Sequence, residues 1–377
     1  MKILNIVGAR PNFMKIAPLI RAFSRHAGVQ PLIVHTGQHY DAGLSDVFFR
    51  ELGIPAPDHA LGVGSSSSRE EQIAKISAAF EPVLEREHPQ LVLVVGDVNS
   101  TIACASVAKK HNVPVAHVEA GLRSFDQEMP EEHNRVATDR ISDFLYVTEE
   151  SGMRNLAREG APGVAVLVGN CMIDTLVCDL DRARASSKRR ELGLEPGAYV
   201  VSTFHRPSNV DTPEALRGLL ETLGVITSIA PLVLPLHPRT RKSMEKFGLS
   251  AELNAVPRLT LCEPLGYVDF IGLVDQSLAA VTDSGGIQEE TTYLGIPCLT
   301  MRENTERPVT VDVGTNTLIG SDRNSLAHHL SQIRSGTYKK GAIPPLWDGK
   351  AAERIVAHLL DRLEEPSALS AQGGAVR

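Results

Sequence analysis

Short β-branched runs alternate with longer amphipathic stretches along almost the whole chain, and few folds accept that alternation. Strand-like runs fall at 2–7, 31–35, 91–95, 114–118 and 144–147. A second series falls at 166–168, 199–203, 232–236, 259–262, 279–282 and 297–301. Helical periodicity fills the gaps, most clearly over 69–87 and 213–229. Such βαβ units build parallel sheets with helices on both faces, an α/β fold. About eleven strands exceed what one open sheet usually holds. The series also breaks between 170 and 196, where one charged helix containing DRARASSKRRELG is expected. We therefore expect two domains, 1–169 and 170–355, with a closing segment at 356–377. The tail after Pro366 is small and polar and is expected to be disordered.

With 377 residues, 42% of them hydrophobic and 22% charged, the chain is long enough for two cores. Its formal net charge of -7 argues against general affinity for nucleic acid or acidic membranes. The opening MKILNIVGARPNF is too short in its apolar run for a secretory signal, and no stretch approaches the ~20 apolar residues that span a bilayer. The five cysteines are scattered without a CxxC pair, which suits reduced thiols in the cytoplasm.

Ligands of open parallel sheets bind at the carboxyl ends of strands, and the distinctive clusters sit just there. The first run leads into Gly8-Ala9-Arg10-Pro11-Asn12-Phe13-Met14-Lys15. Gly8 permits a tight turn and Pro11 suits a first helical turn, placing Arg10 at the helix mouth and Lys15 one turn in. A helix N-terminus flanked by cations receives anions; the same residues also make an ordinary βα turn with solvated cations. A second cluster, Thr282-Asp283-Ser284-Gly285-Gly286-Ile287-Gln288-Glu289-Glu290, runs from a buried strand into a helix that ends near Gly295. Gly285 and Gly286 let backbone N–H groups approach phosphate oxygens, and Ser284 adds a hydroxyl. Glu290 is expected in the first turn, as an acceptor for ribose hydroxyls. A capped helix with acidic residues at its positive end competes with this reading, and the double glycine favours phosphate. A diphosphate bridging the two clusters would lie between the domains.

Three carboxylates follow strands or open a helix in the first domain: Asp97 in GDVNST, Glu119 in EAGLRS and Glu131 in MPEEHNR. Taken singly they read as a helix cap, a partner of Arg123 and a helix-start acid. Taken together they suit general acid–base chemistry. In the second domain His205 ends a strand in TFHRP, His237 ends the next, and Arg302 and Arg307 add cations. GVGSSS lacks the last glycine of GxGxxG, no GxxxxGK[ST] or HExxH occurs, and His35 and His39 have no obvious third ligand. No NAD, P-loop nucleotide, metal or other cofactor is expected.

In these residues the chain resembles the non-hydrolysing UDP-N-acetylglucosamine 2-epimerases. GARPNFMKIAPL, TGQH, GDVNST, HVEAGLRS, MPEEHNR, VGNCMIDTL, TFHRPSN, TDSGGIQEE and MRENTERP appear in order from residue 8 to about residue 320. The resemblance implies two facing Rossmann-like domains in the glycosyltransferase-B architecture, with the last helix returning to the first domain, and a homodimer. It implies interconversion of UDP-GlcNAc and UDP-ManNAc without NAD or metal, by anti elimination of UDP and its re-addition with C2 inverted. Asp97, Glu119 and Glu131 then match acid–base carboxylates. Arg10, Lys15, His205, Ser284, Gly285, Gly286 and Arg307 match the diphosphate and leaving-group positions, with Glu290 at the ribose and Phe270 at the uracil. A hydrolysing 2-epimerase releasing UDP and ManNAc, and a UDP-sugar glycosyltransferase, are the alternatives. Asn12 and Ser208 stand where many members carry Glu, and Tyr40-Asp41 stands where many bacterial members carry a basic residue near a second UDP-GlcNAc. These departures leave room for a modified sugar such as a diacetamido uronic acid.

Overall fold

The computed structural model describes residues 1–37, 51–64 and 66–364. The chain forms two compact units, one of Met1–Leu122, Gln127–Thr175 and Pro345–Arg377, the other of Arg123–Asp126 and Leu176–Pro344. Each unit contains one parallel sheet flanked by helices.

In the first unit the strands are β1 (Lys2–Val7), β2 (Gln30–His35), β3 (His59–Ala60), β4 (Leu91–Val95), β5 (Val115–Ala120), β6 (Phe144–Val147) and β7 (Val164–Leu167). Their order is β3-β2-β1-β4-β5-β6-β7, so the winding reverses between β1 and β4. In the second unit β8 (Val200–Thr203), β9 (Leu232–Pro235), β10 (Leu259–Cys262), β11 (Ala279–Thr282), β12 (Cys298–Thr300) and β13 (Asn316–Leu318) take the order β10-β9-β8-β11-β12-β13. Here the reversal falls between β8 and β11. At such a reversal the flanking connections run to opposite faces of the sheet and leave a crevice at the carboxyl ends.

Burial explains why these segments are strands. Leu91–Val95 reads LVLVV and is buried at every position, as a strand covered by helices on both faces must be. In the first unit Leu4, Ile6, Val92 and Val94 pack against Ile76 and Phe80 from helix Arg69–Glu87 and Val107 from helix Asn99–Lys110. In the second, Val200, Leu234 and Val281 meet Leu216, Leu223 and Ile226 of helix Pro213–Ile229 and Leu326 and Leu330 of helix Arg323–Ser335. Both expected helices have the predicted bounds because their starts are capped. Ser68 accepts from the Glu71 N–H and Thr212 from the Ala215 N–H, each at 3.1 Å.

The 170–196 stretch departs from the single helix expected. Helix Cys171–Ala185 stops, and a short helix Lys188–Glu191 follows. Ser186 separates them: its hydroxyl donates to Asp269 at 2.6 Å and accepts from the Lys188 N–H at 3.1 Å, which turns the chain locally. Helix Ala351–Glu364 packs on helix Arg10–Phe23 within the first unit. The expectation for the tail after Pro366 lies outside the described residues. Among the described residues no helix is long and apolar enough to cross a membrane.

Candidate active site

In the first unit the connection after β1 is held by Asn12. Its side-chain oxygen accepts from the Gly8 and Ala9 N–H groups at 3.0 and 2.9 Å, and its amide donates to the Val95 carbonyl at the end of β4, 3.1 Å away. Two of the N–H groups expected to face an anion are thus already satisfied. Gly8 is required for a different reason than the turn expected from sequence. A Cβ there would stand 2.3 Å from the Ser100 hydroxyl oxygen, so β1 and the helix after β4 meet too closely for a side chain.

Lys15, one turn into helix Arg10–Phe23, is buried. Its ammonium donates to Glu119 Oε1 at 2.7 Å. Glu119 is buried as well and follows Val118, where β5 shifts register against β6. Its backbone is left-handed, φ +72°. Gly96 fills the space between: at φ +66°, a Cβ on it would lie 2.9 Å from Lys15 Nζ and 3.7 Å from Glu119 Oε1. Asp97, the next residue, does not cap helix Asn99–Lys110, whose N-cap is Val98. Its carboxylate pairs with Arg135 of helix Pro130–Ile141. The other arm of Arg135 donates to buried Glu132 at 2.7 Å. Asn134 donates to the Asp97 carbonyl at 2.9 Å and accepts from Arg69. Lys15, Asp97 and Glu119 are thus gathered at the reversal. Glu131 stands half-buried in the first turn of helix Pro130–Ile141, and its neighbour Glu132 is the one buried against Arg135. The Arg10 side chain lies outside the described residues, as do Gln38, His39, Tyr40 and Asp41.

In the second unit the reversal is organised by Asp283, which is fully buried at the end of β11. Its carboxylate accepts from the His205 and Arg206 N–H groups, both at 3.0 Å, and from the Asn209 amide at 2.9 Å. His205 Nδ1 lies 3.1 Å from Asp283 Oδ1. Burial opposes ionisation of Asp283, but the contact with His205 and these other bonds outweigh it and hold the carboxyl below its usual range. The His205 ring lies 5.3 Å from that of His237.

Ser284 begins helix Gly285–Leu294 without using its hydroxyl as a cap. Ser284, Gly285 and Gly286 are all part-exposed there. A Cβ on Gly285 would stand 2.8 Å from Arg307 Nη1, so the glycine admits the guanidinium to the first helical turn. Arg307 in turn meets Glu289 at 2.8 Å and Glu306 at 3.1 Å. Arg302 pairs with Glu306 at 2.9 Å, and Arg206 reaches the same carboxylate at 3.9 Å. Burial draws the Arg302 guanidinium below its usual range against the pull of Glu306, and repulsion from Arg206 and Arg307 adds to this. Three guanidiniums thus converge on Glu289 and Glu306 beside the helix start, and guanidinium N–H donors suit phosphate oxygens. Glu290 lies in the second turn rather than the expected first, buried. Burial and the adjacent Glu290 push the Tyr267 phenol well above its usual range. Phe270 is half-buried against Ile287.

Sequence reading passed over Arg135, Glu132, Asp283 and Glu306. Arg135 reaches Asp97 and Asp283 reaches His205 only through the fold, whereas Glu132–Arg135 and Arg302–Glu306 are i,i+3 and i,i+4 pairs that sit beside more conspicuous residues.

The sequence model of the UDP-N-acetylglucosamine 2-epimerase family matches residues 21–360. A UDP-N-acetylglucosamine 2-epimerase homolog of Methanococcus maripaludis is 42% identical over 342 residues, covering 90% of this chain and 94% of its own. The UDP-2,3-diacetamido-2,3-dideoxy-D-glucuronate 2-epimerase of Pseudomonas aeruginosa is 39% identical over 368 residues, covering 96% of this chain and 100% of its own. Among solved structures, UDP-GlcNAc 2-epimerase of Methanocaldococcus jannaschii in complex with UDP-GlcNAc and UDP superposes with a TM-score of 0.88. It is 38% identical and covers 96% of this chain and 100% of its own.

Proposed function

The chain belongs to the UDP-N-acetylglucosamine 2-epimerase family and is a carbohydrate epimerase, an isomerase, and from that premise we propose that it inverts C2 of UDP-GlcNAc or a closely related UDP-2-acetamido sugar without hydrolysing it. The observation that carries this reading is the buried Lys15–Glu119 pair beside Asp97 at the reversal of the first unit's sheet.

The hydrogen at C2 is weakly acidic, so the main demand on the protein is to stabilise the departing UDP. In our reading a carboxylate of the Asp97, Glu119 and Glu131 set takes the C2 proton. The C2–H electrons form the C1–C2 double bond, and the C1–O bond breaks to give a glycal and UDP. UDP then re-adds at C1 while a second carboxylate delivers a proton to C2 from the opposite face. Lys15 gives Glu119 a counter-ion, and both side chains are buried. Ser284, Gly285, Gly286 and Arg307 hold the diphosphate, and Arg10 is assigned to the same ligand by the family resemblance alone. His205, oriented by Asp283, steadies the leaving phosphate. Glu290 and Phe270 take ribose and uracil. No residue in this scheme requires NAD or a metal. We further propose that the protein acts in the cytoplasm as a homodimer, in which case light scattering gives twice its mass of 40.7 kDa.

The product distinguishes the alternatives. Proton NMR of UDP-GlcNAc with the protein is expected to show UDP-ManNAc growing to a fixed ratio. UDP and free ManNAc released in equal amounts from the start would instead establish a hydrolysing epimerase.

A further inference from the structure

HVEAGLRS contains a histidine with no role in the scheme above. His117 is fully buried in β5, two residues before Glu119. Its Nε2 lies 2.8 Å from the Gly96 carbonyl, and its Nδ1 lies 2.7 Å from Asp139 Oδ1. The other Asp139 oxygen accepts from the Gly121 N–H at 3.1 Å. A carbonyl only accepts, so Nε2 carries a proton. Nδ1 and the carboxylate must share another, because two lone pairs would repel at 2.7 Å.

The termini of this chain of bonds are informative. Gly96 immediately precedes Asp97, and Gly121 comes two residues after Glu119. Both glycines have left-handed backbones, φ +66° and +79°, and Glu119 between His117 and Gly121 does too. The Gly96 N–H donates to the Val118 carbonyl at 3.0 Å, and beyond that bond β5 shifts register against β6 between Val118 and Ala120. One imidazole and one carboxylate add a side-chain link from the Gly96 turn to Gly121, on the far side of Glu119.

We propose that His117, acting through Asp139, is a positioning residue that fixes Asp97 and Glu119 relative to each other for proton transfer at C2. This rests on the epimerase reading. Proton transfer tolerates little displacement, and an error of about 1 Å costs on the order of 10²-fold in rate.

The bonds themselves suggest a discriminating pair of variants. In Asp139→Asn the amide oxygen still accepts from Gly121, the amide N–H donates to His117 Nδ1, and His117 Nε2–H still donates to Gly96. All three links survive without charge. Asp139→Ala loses two of them. We expect Asp139→Asn to keep kcat within about threefold, and Asp139→Ala to lose about 10²-fold in kcat with KM for UDP-GlcNAc and the affinity for UDP unchanged. If Asp139→Ala does not fold, His117→Phe/Asp139→Leu serves instead, because replacing a buried ion pair with apolar groups of similar volume is tolerated. Wild-type kcat in Asp139→Ala or the double variant overturns the proposal. So does an Asp139→Asn loss as deep as that of Asp139→Ala, or a fall in kcat matched by lost UDP affinity. A wild-type protein that turns over no UDP-2-acetamido sugar would remove the epimerase reading and this inference with it, whereas wild-type turnover with an unaffected Asp139→Ala removes only the inference.

Discussion

Glu119 is held in a left-handed backbone that costs an ordinary residue roughly 1–2 kcal/mol, and it is also buried and charged. The buried carboxylate is met by Lys15, 2.7 Å away. Glu119→Gln keeps the shape and an acceptor for Lys15 but removes the base. It is expected to lower kcat by about 10²–10⁴-fold with UDP affinity within about threefold; unchanged turnover takes Glu119 out of the mechanism. Gly96→Ala tests the same junction sterically, since its Cβ would press on Lys15 Nζ at 2.9 Å from a φ of +66°. A loss of about 1–3 kcal/mol in denaturant unfolding, together with reduced kcat, is expected. Wild-type values for both would show the junction to be slack. Asp97 was placed from sequence as the second residue after a buried strand, whereas Glu119, expected after the 114–118 run, lies within β5 at its register shift. Glu131 was harder to read. Adjacent residues at a helix start face directions about 100° apart, and here packing against Arg135 turned Glu132 inward. Nothing local in MPEEHNR states that choice.

Elements were legible where apolar content and end signals agreed. The runs at 91–95 and 279–282 became β4 and β11 with those bounds. β3 and β13 were missed because two or three residues, HA and NTL, carry no apolar run, and their pairing comes entirely from the neighbouring strand. The reversal of strand order was likewise invisible, because it depends on which strands pair and not on what any strand contains. Helix Ala351–Glu364 offers a test at this scale. The Asp174 carboxylate caps it, accepting from the Ala351 and Ala352 N–H groups at 3.0 and 2.7 Å. Burial nevertheless outweighs these bonds and raises its pKa from 3.8 to about 6. A carboxyl whose pKa rises on folding favours the folded state when protonated. Its contribution is therefore greatest below about pH 4, falls between about pH 4 and 6, and is least above. Asp174→Asn keeps one capping bond and removes the charge. It is expected to stabilise the protein by about 1–2 kcal/mol at pH 7.5 and to flatten that part of the pH–stability curve. A lower Tm at pH 7.5 with the curve unchanged would contradict this.

At the scale of the whole molecule, two sheets each place a charged cluster at a reversal of strand order. The clusters differ in kind. The first unit gathers carboxylates with Lys15 and Arg135, suited to moving protons; the second gathers Arg206, Arg302, Arg307 and His205 around a glycine-rich helix start, suited to holding phosphate. This division of labour supports elimination and re-addition of UDP. Relatives named for UDP-GlcNAc and for UDP-2,3-diacetamido-2,3-dideoxy-D-glucuronate are equally similar to this chain, at 39% identity. A panel of both substrates therefore belongs in the decisive measurement. The protein is incubated with each UDP-sugar in D₂O and C2 is followed by NMR. Elimination and re-addition predict deuterium at C2 of both epimers, with the sugar still attached to UDP. Epimer formed with its C2 proton retained would contradict the account.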